Sequence, residues 1–161
     1  MASQGERANR SGNVLERTVV ATMQALGFSV VNFKDYTRSP NEFGTELLLR
    51  NVPYTTLYGG RGYTEFLIVS KVHNQNVRVE CKWQQSAGSV DEKLPHLYLS
   101  CIEAMPQNHV IILIDGKGFR DGAIVWLRKA ATERRYLPAD SQKLVQVMSV
   151  AEFLTWANST F

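Results

Sequence analysis

Residues 64–84 read TEFLIVSKVHNQNVRVECKWQ, and the architecture turns on them. The run 64–72 is rich in β-branched and aromatic side chains, which suit a strand. His73-Asn74-Gln75-Asn76 supplies turn chemistry, and 76–84 is a second β-rich run. Together they read as an antiparallel hairpin. Side chains alternate faces along a strand, so Arg78, Glu80, Lys82 and Gln84 share one face, and Val79, Cys81 and Trp83 the other. Taken alone, an E-x-K triplet is most simply a solvated charged face. Glu65 changes that weighing, because an acid at the mouth of the apolar run FLIV is costly unless it is exposed, paired or holding a cation. A tight turn near Asn74-Gln75 places Glu65 opposite Gln84, nearer Lys82 than Glu80. On that register a bulge or strong twist is needed to bring both carboxylates onto one ion.

On the N-terminal side, Asn13 and Glu16 form a capping-box-like start. Leu15, Val19, Met23 and Leu26 recur at helical spacing and Gly27 is a natural stop, so the spacing predicts a helix over 13–26. Residues 28–33 (FSVVNF) read as a strand and 34–41 as a polar turn. TELLLRNV (45–52) fits helix or strand, with Pro53-Tyr54 ending it. The loop Tyr58-Gly59-Gly60-Arg61-Gly62-Tyr63 matches neither a Walker A nor a dinucleotide fingerprint.

On the C-terminal side, 88–105 is mainly helical, with a capping box at Ser89 and Glu92 and a break or restart at Pro95. HVIILIDG (109–116) reads as a buried central strand. A helix at about 121–131, a strand at 143–149 and a last helix capped by Ser149 and Glu152 complete the chain. Strands and helices alternating after a hairpin define an α/β fold with a mixed sheet flanked by helices. Residues 1–12 form a polar, flexible lead-in, and 13–161 form one domain.

Composition narrows the function classes. The 161-residue chain carries a net charge of +3, compatible with a polyanionic partner but not diagnostic of one. No run approaches the roughly 18 apolar residues needed to cross a membrane, and the N-terminus has no signal-peptide run. Two cysteines, Cys81 and Cys101, fit reduced thiols in a cytoplasmic protein. His73, His96 and His109 are too scattered for a zinc site. The cluster of Arg128, Lys129, Arg134 and Arg135 reads first as a solvated helix face.

Two carboxylates with a backbone carbonyl make a hard-oxygen site suited to Mg²⁺ or Mn²⁺. A neighbouring lysine can position or deprotonate water, or stabilise charge building on phosphorus. Phosphodiester hydrolysis uses this set of tools. Glu65 followed by Glu80-Cys81-Lys82 resembles the PD-(D/E)XK nuclease superfamily, in which an acid opening one strand pairs with (D/E)-x-K on the next. The flanks Pro53-Tyr54, Gly60-Arg61-Gly62-Tyr63-Thr64-Glu65-Phe66, Gln84-Gln85 and Gly88-Ser89-Val90-Asp91-Glu92-Lys93-Leu94-Pro95 also resemble small restriction-type endonucleases.

The resemblance, spanning about 13–131, implies an αβββαβ restriction-endonuclease-like core and a Mg²⁺-dependent endodeoxyribonuclease, with Mn²⁺ as a substitute. It implies that Glu65, Glu80 and the Cys81 carbonyl ligate the metal, that Lys82 is the catalytic lysine, and that Gln84 is a polar site residue. It implies that Glu16 holds a metal-bound water, although a capping role competes. Glu65 stands where the family usually has Asp, and no Pro-Asp pair precedes it.

Arg61, Lys93, Lys117 and Arg120 are candidate phosphate contacts, each weighed against an ordinary loop or surface role. A homodimer suits the cutting of two strands. Two other readings stay open: an inactive DNA-binding protein on a nuclease scaffold, and a structure-specific junction or repair nuclease.

Overall fold

The computed structural model describes residues 4–85 and 89–161, with side chains described from Val14 onward except at Val90. A long helix α1 (Gln4–Ala25) leads into β1 (Ser29–Asn32) and a short helix α2 (Phe33–Arg38). Then come β2 (Glu46–Thr55), β3 (Arg61–Ser70) and β4 (Gln75–Trp83). After α3 (Lys93–Leu99) and a π-helical turn at Ser100–Ala104 follow β5 (His109–Asp115), α4 (Asp121–Thr132), β6 (Leu144–Met148) and α5 (Val150–Thr160). The six strands lie in the order β1-β2-β3-β4-β5-β6. β2, β3 and β4 are antiparallel neighbours, while β1–β2, β4–β5 and β5–β6 pair in parallel. The fold is the expected α/β class with a mixed sheet.

Helices cover both faces because the strands carry apolar side chains on both. On one face Leu15, Val19 and Met23 of α1 and Phe153 of α5 pack on Leu48, Phe66, Ile68, Val77, Val79 and Ile111. On the other, α3, the π turn and α4 cover Val110, Ile112 and Val145. A smaller cluster of Leu47, Leu49, Val52 and Leu67 sits beside α2. Between the last two clusters lies Arg78, paired in register with Leu67 on one side and Val110 on the other. It is 1% exposed and donates to the carbonyls of Val52 and Pro53, to Thr64 Oγ1 and to Gln107 Oε1. A buried guanidinium is tolerated because nearly all its donors are used.

Several expectations need correction. The first helix starts at Gln4, not near 13, because no proline interrupts residues 4–12 and most are helix-compatible. Asn13 therefore lies inside the helix and Glu16 is free of a capping role; residues 1–3 of the lead-in lie outside the described residues. The ambiguous run 45–52 is strand β2, and it continues through Pro53 to Thr55. β1 pairs only as far as Arg50, so Pro53 sits on an edge segment, where its missing N–H costs little. Residues 34–41 are not a turn but mostly α2 and a 3-10 turn at Pro40–Glu42. Helix α3 starts at Lys93 after a 3-10 turn at Ser89–Glu92. Pro95 thus falls in the first turn, where no intrahelical N–H bond is lost. The capping box at Ser149 forms as expected, with Glu152 N donating to Ser149 Oγ and Ser149 N to Glu152 Oε2. The basic residues of α4 are absorbed locally: Arg128 pairs with Glu152, and Lys129 and Arg135 with Glu133.

Candidate active site

β3 and β4 pair only from Ser70↔Gln75 to Phe66↔Val79, and then they part. Beyond that point β3 follows β2 as far as Arg61, while β4 follows β5 as far as Trp83. The parting leaves a fork, in which backbone groups of β4 face no strand. A buried N–H needs an acceptor, and Glu65 provides it: Cys81 N donates to Glu65 Oε2 at 2.8 Å.

The hairpin register differs from the expected one. The turn occupies 71–74 rather than closing at Asn74-Gln75, so continuing the ladder puts Glu65 opposite Glu80, not Gln84. A kink completes the arrangement. Asn51 of β2 has φ 55, and the β2–β3 ladder passes from Arg50↔Phe66 to Val52↔Thr64, leaving Asn51 and Glu65 out of the pairing. Leu47 and Leu49 share a cluster with Val52, so the face alternation of β2 shifts at Asn51. Thr64 and Leu67 both lie on the Arg78 side, so β3 shifts at the same level. Asn accepts a left-handed backbone more readily than most residues. The two kinks, one per strand, keep the register and turn Glu65 into the fork.

Glu80 is 5% exposed, and its Oε2 has no hydrogen-bond partner among the described residues. Burial pushes its carboxyl up to about 7; Glu65 adds to the rise and Lys82 opposes it. The negative charge of Glu65 is thus felt at the Glu80 carboxyl across the fork. The Lys82 ammonium pairs with Glu80 Oε1. Burial alone would lower the lysine, but Glu80 and Glu65 outweigh it and raise it, so Lys82 stays charged. The Cys81 thiol is pushed well up by burial, and further by Glu65, Glu80 and Glu16.

A divalent cation fits this donor set. The buried Glu80 and the half-buried Glu65 line the fork, and Glu80 Oε2 is an orphaned buried oxygen among the described residues, an acceptor that a cation would satisfy. Among the described residues no group of three or more His, Cys, Asp or Glu side chains converges. An ion here would therefore complete its shell with a backbone carbonyl and water, as small hard cations do.

The remaining expected residues are dispersed around this centre. Glu16 of α1 lies within electrostatic reach of Glu65, which raises it after burial does, and it pairs with Arg50 at 3.9 Å. Gln84 follows β4; its N–H donates to Asp115 O at 3.2 Å and its carbonyl accepts from Gly118 N at 2.8 Å. Gly116, at φ 105, makes that approach: a Cβ there would stand 2.1 Å from the Gln84 carbonyl oxygen. Lys93 lines a cleft of about 260 Å³ with Glu80, Lys82, Tyr54 and His96. Arg61 lies at the start of β3, with its guanidinium 5.8 Å from the Tyr63 ring. Lys117 is exposed after β5, and Arg120 is tied to Asp91 at 3.4 Å. Ser86, Ala87 and Gly88 lie outside the described residues.

Sequence reasoning missed Asn51, Tyr54 and His96. Asn51 carried a signal, an Asn inside an apolar run ahead of Pro53. Tyr54 packs across Gly62, where a Cβ would come within 2.8 Å of its ring, and forms a wall of the cleft. His96 meets the exposed Tyr58 of the glycine loop at 5.7 Å between ring centroids, a contact that spacing alone could not reveal.

A mixed sheet whose central hairpin splits around two acids and a lysine has a restriction-endonuclease-like core. The chain belongs to the PD-(D/E)XK nuclease superfamily: the model of a PD-(D/E)XK nuclease superfamily domain matches residues 7–161. No curated protein and no solved structure matches it.

Proposed function

We propose that this chain is a divalent-metal-dependent DNA endonuclease. The observation that carries the reading is the fork, where Glu65 accepts from the Cys81 amide, Glu80 lies buried with one oxygen unpartnered among the described residues, and Lys82 sits on Glu80. Glu65, Glu80 and the Cys81 carbonyl would hold Mg²⁺, with Mn²⁺ as a substitute. Such an ion supplies Lewis acidity toward a phosphodiester oxygen and toward water.

The chain's own groups do the rest. Glu80 must be deprotonated to act, and Lys82 favours that form. Lys82 is charged and can orient a water or stabilise negative charge on the oxygens around a pentacoordinate phosphorus. The Cys81 N–H fixes the Glu65 carboxylate, so little reorganisation is needed during the reaction. Gln84 follows the same strand and borders the site. Glu16 can accept a proton from water on the α1 side. Lys93, on the cleft wall, and the exposed Lys117 and Arg120 would meet backbone phosphates. Two copies of one site suit the cutting of both strands, which favours a homodimer. The unbridged Cys81 and Cys101 suit a reducing, cytoplasmic setting.

Plasmid incubated with Mg²⁺, Mn²⁺ or EDTA tests this. Nicking or linearisation is expected with either metal and not with EDTA. Lys82→Ala is expected to lose at least about 100-fold in rate. Cutting in EDTA, or full activity in Lys82→Ala, would overturn the reading; salt-sensitive binding without cutting under either ion would favour a DNA-binding scaffold.

A further inference from the structure

Beyond Arg50, β2 has no strand partner on its outer side among the described residues, because β1 ends at Asn32. Helix α2 stands across this gap, and the two enclose a groove of about 610 Å³. Asn32, Lys34, Arg50, Asn51, Arg61 and Tyr63 supply its polar lining. Three of these are cations, against one carboxylate, Asp35. Lys34 and Arg61 are exposed and appear in no ion pair among the described residues. The α4 cations, by contrast, are neutralised by Glu133 and Glu152.

Two residues from the surroundings of the fork also belong to the groove. Arg50 lines it and pairs with Glu16, and Asn51 is the kinked residue opposite Glu65. Asn51 Nδ2 donates to Asn32 Oδ1 at 3.2 Å, which joins the ends of β1 and the β2 kink across the groove floor. Tyr63 is 54% exposed beside Arg61, an aromatic face available for a sugar or base.

We infer that this groove is a phosphodiester track, which holds the backbone of the substrate strand on the Glu65 side of the site through Lys34, Arg50 and Arg61. The inference rests on the nuclease reading for the identity of the strand, but not for its charge chemistry. Lys34 and Arg61, cations without an ion pair among the described residues on an open edge next to the site, match a polyanion by charge complementarity. The track also gives the glycine-rich loop a use, because Arg61 and Tyr63 stand where that loop enters β3.

The test is binding of labelled duplex DNA by fluorescence anisotropy across a salt series, in Ca²⁺ and in EDTA. Lys34→Ala/Arg61→Ala is compared with Arg128→Ala/Lys129→Ala, which removes equal charge from α4. The groove variant is expected to weaken binding about tenfold or more and to lower the slope of log K against log salt by about 0.9 for each lost contact. The α4 variant is expected to track the wild type. Equal effects of both variants, or no binding by the wild type in either buffer, would overturn the inference. Groove-dependent binding without cleavage would leave the inference standing and remove the nuclease reading; cleavage with groove-independent binding would do the reverse.

Discussion

At the scale of single residues, Glu80 carries the sharpest consequence. Its carboxyl is raised to about 7 by burial, so the folded chain holds a proton that the unfolded chain releases near 4.5. This contribution favours the fold at low pH and fades as pH rises through about 4.5 to 7. A cation needs the deprotonated form. Cleavage at subsaturating Mg²⁺ should therefore rise with pH, with a midpoint that moves below about 7 as Mg²⁺ is raised, and added Mg²⁺ should raise Tm more at about pH 8 than at about pH 5.5. A flat pH–rate profile across that range would show that Glu80 does not titrate in the working enzyme. The triplet Glu80-Cys81-Lys82 and the lone Glu65 were legible in the sequence because alternation assigns faces without knowledge of the fold. Their spacing was not, because it depends on where a turn closes, and His73-Asn74-Gln75-Asn76 allows more than one closure.

Among the elements, β2 decided what periodicity could not. TELLLRNV is apolar on both faces, so its pattern has no helical or strand period to read, and only tertiary packing makes it a strand. Its Pro53 suggested an end because proline usually leaves the ladder, but the early stop of β1 turns that segment into an edge. The kink at Asn51 was equally hidden, since a face shift in β2 matters only beside one in β3. Asn51→Gly should keep stability within about 0.5 kcal/mol, because glycine adopts φ 55 freely. Asn51→Val should cost about 1–2 kcal/mol and lower cleavage, because a β-branched side chain resists that conformation and would pull Glu65 from the fork. Denaturant midpoints and rates on the two variants check this, and equal behaviour of both would separate the kink from the site. The body of α1, strand β5 and helix α5 were legible because the α1 spacing, HVIILIDG and the Ser149 cap are each strong local signals, whereas α2 was read as a turn.

In the molecule as a whole, Arg78 is the joint. It reaches β2 through Val52 and Pro53, β3 through Thr64 and the segment before β5 through Gln107. Removing a buried cation with nearly all its donors engaged strands its acceptors, so Arg78→Met should cost about 3–5 kcal/mol. Urea unfolding measures it; a loss below about 1 kcal/mol would mean that these bonds are replaced by water. The sequence placed Arg78 on the face of Glu80 but gave no sign of its burial, because a charged residue on a strand is ordinarily taken for a solvated one. The parting of β3 from β4 also divides the sheet into two three-stranded leaves, hinged along a spine of five residue pairs and riveted by that guanidinium. Glu65 belongs to one leaf and Glu80 to the other, and the Cys81 amide is a rung lent across the gap by a side chain. Whatever clasps those two acids together also sets the angle between the leaves, so reactivity and mechanical stiffness here share a single clasp.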